Sequence, residues 1–305
     1  MTITPDARTT FADARAILTR HPAHNIPSCG TEYVFGRVHP DRLSATGYRM
    51  ELGKGLRAIY ARMKGKTGAK HRFVVIARPR SGTTLLVTLL HQIPDLRCDG
   101  EMLHHAVLRP TGLLRSLART CQQSAYGCKV LSYQMLDVQR MADPLAFCQS
   151  VQAAGFHIVH LTRDTFGQCL SLSKAQHTGF YHQKSETPVS TLPSEMTLDE
   201  DVFRQQVHWN LTMLDYENKL LAALPHLSLH YDTDLTTPEA QQRSTDKICD
   251  RIGHSSGLVQ ARTKKVDTMS GGTRITNRDR LKDIASEMIA DANQKAAKTG
   301  AAPLI

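Results

Sequence analysis

Long hydrophobic runs are absent from this chain of 305 residues. None approaches the roughly 20 apolar residues that a membrane-spanning helix needs. The opening Met1-Thr2-Ile3-Thr4-Pro5-Asp6 also lacks the apolar core of a secretory signal. A soluble, cytoplasmic protein without a transmembrane segment is the expectation. The seven cysteines, Cys29, Cys98, Cys121, Cys128, Cys148, Cys169 and Cys249, are odd in number, scattered and without any C-x-x-C. That pattern argues against a disulfide framework or a zinc site and fits free thiols in a reducing compartment. His104 and His105 are adjacent, and on a helix adjacent side chains point about 100° apart, a poor chelate. No metal is expected. Aromatic residues make up only 6%, too few for a base-stacking platform, and the basic residues form no block longer than Lys64-Gly65-Lys66 and Lys264-Lys265. Nucleic acid is therefore not the expected partner.

What the chain does have is a formal charge of +10, which favours an anionic ligand. With 41% hydrophobic and 22% charged residues it belongs with folded globular proteins. Its length allows one large α/β domain, or one domain with an appendage.

The most informative segment runs from Phe73 to Glu101. The apolar run Phe73-Val74-Val75-Ile76-Ala77 breaks into Arg78-Pro79-Arg80-Ser81-Gly82-Thr83-Thr84, then resumes with helical spacing at Leu85, Leu86, Leu89 and Leu90. This predicts a strand, a tight loop and a helix whose N-terminal amides face an anion. A nucleotide triphosphate loop would need G-x-x-x-x-G-K-[ST]. Here Ala77 stands at the first glycine, Thr83 replaces the lysine, and the positive charge sits on Arg80. A second junction follows the apolar strand His157 to Thr162, where Arg163-Asp164-Thr165 opens a helix that carries Ser171.

The R-P-R-S-G-T-T-L-L string resembles the 5′-phosphosulfate loop of sulfotransferases that use 3′-phosphoadenosine 5′-phosphosulfate (PAPS). Arg163 and Ser171, eight residues apart, are similar to that family's 3′-phosphate site. The resemblance extends from Phe73 to Leu281 and implies an α/β, P-loop-like three-layer domain with a central parallel sheet flanked by helices. It also implies PAPS as cofactor, with adenosine 3′,5′-bisphosphate released, and a hydroxyl acceptor, carbohydrate or small metabolite. Cofactor contacts are then expected from Arg78, Arg80, Ser81, Gly82, Thr83, Thr84, Arg163 and Ser171. Near the C-terminus, Arg274 and Asn277 take the place of the family's basic, Asn-containing loop. The stretch Asp95-Leu96-Arg97-Cys98-Asp99-Gly100-Glu101 resembles a region of tyrosylprotein and rhizobial nodulation-factor sulfotransferases that supplies a catalytic base. The resemblance thus implies Glu101 as base beside Arg80, with His104 in reserve. A structural role stays open for Glu101, as a first-turn residue of a helix capped by Asp99, and for Arg78, as partner of a structural carboxylate.

Elsewhere strand and helix signals alternate, as in a parallel sheet with covering helices. Strands are predicted at Gly127 to Leu131 and Leu227 to Tyr231, and helices at Leu56 to Met63, Pro144 to Ala153, 165 to 176, Asp199 to Leu224 and from Pro238 to near Gly253. A further short helix is expected at Thr10 to Leu18 and a long loop at Phe180 to Pro193. Residues 1–70 read as an extension packed on the 71–305 domain, shaping an acceptor pocket or a homodimer contact. Two other functions compete with sulfate transfer: an ATP-dependent small-molecule kinase, and a non-enzymatic basic protein that binds polyanions.

Overall fold

Strands covered on both faces read as unbroken apolar runs, and the central strands of this chain do so. The computed structural model describes residues 33–34, 37–38, 45–178, 193–260 and 274–298. After a two-residue hairpin of β1 (Tyr33–Val34) and β2 (Arg37–Val38), helix α1 (Ala45–Met63) precedes the sheet. Residues Phe73 to Ala77 of β3 (His71–Ala77) and the whole of β5 (Ala125–Leu131) are buried. With β4 (Leu96–Glu101), β6 (His157–Thr162) and β8 (His226–His230) they form one five-stranded sheet, every pair parallel, in the order β4-β5-β3-β6-β8. The fold is α/β, with helices on both faces of that sheet.

Side chains alternate between the two faces. Phe73, Val75, Val159 and Leu161 pack with Leu86, Leu89 and Leu90 of α2 (Thr83–Leu90). Val74, Ile76, Val130 and Ile158 face the other way, toward Leu113, Leu114 and Leu117 of α3 (Pro110–Thr120). Cys148 and Val151 of α4 (Pro144–Ala153) join that second layer, where Asp143 caps the helix by accepting from the Ala146 amide at 2.9 Å. After β6, α5 (Thr165–Thr178) and α6 (Glu200–Leu221) share a third cluster, Leu170, Phe203, Val207 and Leu211, with Leu281 and Ile284 near the C-terminus. α7 (Tyr231–Asp234), α8 (Pro238–Ile252) and α9 (Arg278–Lys298) complete the described helices. Between α5 and α9, β7 (Glu195–Met196) pairs with β9 (Arg274–Ile275).

Most predicted elements appear within a few residues of their expected ends. Two differ in kind. The helix expected from Leu56 begins at Ala45, because Gly53 and Gly55 lower propensity without stopping a helix that packs elsewhere along its length. The alternative in which Asp99 caps a helix is replaced by strand β4, since Leu96 and Cys98 are buried against α2 and the Ala125 end of β5. The expected helix Thr10 to Leu18 and nearly all of the Phe180 to Pro193 loop lie outside the described residues. No helix among the described residues is long and apolar enough to cross a membrane.

In a parallel sheet the connections leave from one edge. β3 connects toward β4 on one side while β6 connects toward β8 on the other. The loops after β3 and β6 therefore flank a topological switch point, the usual ligand crevice of open α/β sheets.

Candidate active site

The loop after β3 is held from beneath. Arg78 is fully buried, its Nε 3.2 Å from Oε2 of Glu217 and its Nη1 donating to the Asn210 carbonyl at 3.2 Å and to the Asn210 side-chain oxygen. Glu217, also fully buried, has His160 Nε2 at 3.1 Å on the same oxygen. Burial holds the Arg78 pKa below its ordinary value and Glu217 opposes that shift; a guanidinium still stays charged. Arg78, expected among the cofactor contacts, is thus turned inward. The Ser81 hydroxyl also turns inward, donating to the Arg78 carbonyl at 2.8 Å, and Gln168 of α5 donates to Ser81 Oγ at 3.2 Å and to the Pro79 carbonyl.

The outer side of the loop is different. Arg80 has a φ of 66°, which for a non-glycine residue marks a backbone held by its surroundings. Its Nε and Nη2 donate to Ser171 Oγ at 3.1 and 3.0 Å. Arg163, from the loop after β6, donates through Nη1 to the Arg80 carbonyl at 3.1 Å. Arg80 and the distant pair Arg163 and Ser171 are therefore one cluster. The Arg163 guanidinium lies over the Tyr231 ring at 4.5 Å, and its Nε is buried without a hydrogen-bond partner among the described residues.

Gly82 ends the loop with a φ of 89°, and no side chain caps α2. Among the described residues no side chain accepts from the first amides of α2, and with the helix dipole they favour negative charge. A Cβ at Gly82 would stand 2.2 Å from Tyr231 Cδ2. Thr83 is buried and Thr84 half-buried at the start of α2.

Glu101 ends β4, where the register with β5 slips between Asp99 and Glu101. Gly100 is the extra residue of that bulge. Asp99 accepts from the Tyr126 hydroxyl at 3.1 Å, on the face of α3. Without the bulge Glu101 would share that face; with it, Glu101 pairs with Lys129, level with Val75 on the face of α2. Lys129 Nζ lies 3.2 Å from Glu101 Oε1, and Gln134 Nε2 donates to Oε2 at 2.8 Å. Gln134 belongs to a π-helical turn, Gln134–Val138, that follows β5. His104 places Nδ1 against the Glu101 carbonyl.

The two C-terminal candidates lie in another group. Arg274 is exposed, with Nη1 3.2 Å from Glu195 Oε1. Asn277 uses both ends of its amide on Leu198, accepting from the backbone amide at 3.1 Å and donating to the carbonyl at 2.8 Å. That clip joins α9 to the start of α6.

With this geometry in view, one comparison bears on the site. The chain is similar to nodulation protein H of Rhizobium tropici. It is 30% identical over 139 residues, covering 39% of this chain and 54% of that protein. The chain spans about half the length of the curated relative it matches. No protein-family model matches it.

Sequence reasoning missed Gln168, Glu217, Lys129 and Gln134 as parts of this region and gave Tyr231 only as the end of a strand. The apolar segment around Lys129 carried one signal, since a lysine inside a buried strand requires a partner. The rest gave none, because their roles come from contacts between distant elements.

Proposed function

We propose that this chain is a sulfotransferase that moves a sulfuryl group from PAPS to a hydroxyl of a carbohydrate or other small metabolite. The observation that carries the reading is the convergence of Arg80, Arg163 and Ser171 beside the uncapped start of α2. The similarity to nodulation protein H agrees with it, given the resemblance of the Glu101 region to nodulation-factor sulfotransferases.

The residues fit a ligand with two separate phosphate groups. Arg163 offers a buried, unpartnered Nε–H, and Ser171, which accepts from Arg80, keeps its hydroxyl proton to donate. These two would hold the 3′-phosphate. Arg80, with the amides of Ser81, Gly82, Thr83 and Thr84, would hold the 5′ end. PAPS, when bound, supplies a sulfuryl group already activated on a phosphate leaving group. Arg80 then stabilises the charge that grows at that phosphate, a role in which preorganised donors are effective. Glu101 takes the proton of the acceptor hydroxyl, and Lys129 and Gln134 fix the orientation of its carboxylate. Arg78 and Ser81 act as loop supports, and Asn277 with Arg274 as braces that join the start of α9 to the segment before α6. The ion pair with Lys129 favours a second, purely structural role for Glu101, which its glutamine variant separates from catalysis.

The test is nucleotide selectivity together with transfer. The proposal expects tight binding of adenosine 3′,5′-bisphosphate, weaker binding of adenosine 5′-phosphate, and label from sulfur-labelled PAPS appearing in an acceptor from extract fractions. Magnesium-dependent ATP binding with no preference for the 3′-phosphate would turn the reading to the kinase. Steeply salt-dependent polyanion binding without transfer would turn it to the binding protein.

A further inference from the structure

Apart from Leu108 and Leu258, the large exposed hydrophobic side chains of the described residues gather on one helix. Tyr48, Leu52, Leu56, Ile59, Tyr60 and Met63 all lie on α1, between 41% and 80% exposed. Leu108, 77% exposed, adds to the same area, because Glu51 of α1 accepts from the Leu108 and Arg109 amides at 2.7 and 2.8 Å. Along a helix of 100° per residue, positions 48, 52, 56, 59 and 63 make one stripe. The stripe lies opposite Gly47 and Ala61, the two buried positions of the helix. Single exposed apolar residues need no explanation, whereas a contiguous outward stripe marks an interaction surface.

The charges around the stripe choose its occupant. Arg49 borders it on one side and Arg62 on the other, and both are exposed, while Arg57 and Lys64 lie farther round the helix. The one acidic residue of α1, Glu51, is occupied by the two backbone amides. A second copy laid along the same stripe would bring arginine against arginine, so self-association through this face is opposed electrostatically. An anionic phospholipid surface meets both features: acyl chains for the stripe, headgroup charges for the flanks. The 19 residues of α1 extend about 28 Å, enough to lie along a bilayer surface. Tyr48 and Tyr60 suit the interfacial level, where amphipathic rings concentrate.

We infer that α1 is a membrane-surface helix that docks this protein on anionic bilayers without crossing them. This inference is independent of the proposed reaction, but the placement has a consequence for it. α1 packs on the chain just past Glu101: a Cβ at Gly47 would stand 2.0 Å from the Ala106 carbonyl oxygen. A docked molecule would thus hold the acceptor side of the site near the lipid.

The test is co-sedimentation of the full chain with vesicles of phosphatidylcholine alone or mixed with phosphatidylglycerol. Binding is expected to the mixed vesicles only, and to weaken as salt rises. Leu56→Ser/Ile59→Ser should lower it about tenfold or more, and Arg49→Gln/Arg62→Gln roughly fivefold per cation removed. Because all four positions are exposed, melting temperatures should not change; if the first variant melts early, the second decides. No binding to mixed vesicles, or binding that the folded variants retain in full, overturns the inference. A solution dimer that the Leu56→Ser/Ile59→Ser variant dissociates would also overturn it, assigning the face to a second copy.

Discussion

Replacing Gly82 by alanine tests the part of the site on which the rest depends. Gly82 has a φ of 89°, where a side chain is strained; the left-handed region costs an L-residue about 1–2 kcal/mol. The new Cβ would stand 2.2 and 2.7 Å from two carbons of the Tyr231 ring, so the ring must move. That ring carries the Arg163 guanidinium at 4.5 Å, a contact worth roughly 0.5–1 kcal/mol when partly exposed. Together the loss should be about 2–3 kcal/mol, seen as a melting temperature lower by about 3–5 °C. A second effect should accompany it. Arg163 loses its platform, so affinity for adenosine 3′,5′-bisphosphate should fall while affinity for adenosine 5′-phosphate changes less. Gly53→Ala is the control with opposite sign, since Gly53 lies within α1 and a Cβ there meets nothing within 4 Å. Alanine should stabilise that helix by roughly 0.5–1 kcal/mol. A Gly82→Ala protein that melts with the wild type and keeps its nucleotide selectivity would refute the description of this loop.

Four other variants address separate claims. Arg163→Ala should weaken adenosine 3′,5′-bisphosphate by about 1.5–3 kcal/mol, the worth of a hydrogen bond to a charged group; unchanged preference over adenosine 5′-phosphate in calorimetry removes Arg163 from the site. Arg80→Ala should lower kcat by about 100-fold or more with a smaller change in cofactor affinity, and near-normal turnover would reject its role at the leaving phosphate. Glu101→Gln keeps the shape of the side chain and one acceptor oxygen, for Lys129 or Gln134 but not both, so a loss of about 1–3 kcal/mol of stability is expected, while transfer should fall about 100- to 10,000-fold if Glu101 is the base. An active, destabilised Glu101→Gln enzyme would leave the residue structural and move attention to His104. Glu217→Ala leaves the buried Arg78 without its counter-charge, and a loss of about 3–5 kcal/mol is expected in thermal or chemical unfolding; a change under 1 kcal/mol would show that Arg78 is not held this way.

Local pattern alone was enough for the strand, loop and helix at Phe73 to Leu90, whereas Arg163 and Ser171 were singled out by the family resemblance. Alternation, helix periodicity and proline positions are properties of neighbouring residues, so they are visible without the fold. Strand β4 was harder. Asp99-Gly100-Glu101 has the polar character of a helix start, and only pairing with β5 makes it a strand end whose bulge aims Glu101 at the face of α2. The long α1 was half legible for a similar reason, since its glycines hide a helix that packing selects.

The sequence by itself determined the parallel α/β architecture and the strand–loop–helix junctions after Ala77 and Thr162, because both follow from spacing along the chain. The tertiary structure decided which arginines face outward. Arg78 and Arg80 are two residues apart and chemically alike, yet Arg78 is sealed between Glu217 and Asn210 while Arg80 reaches Ser171. The difference lies in where α5 and α6 bring their carboxylate, amide and hydroxyl groups. Such partners, more than 90 residues away along the chain, have no signature in the local sequence.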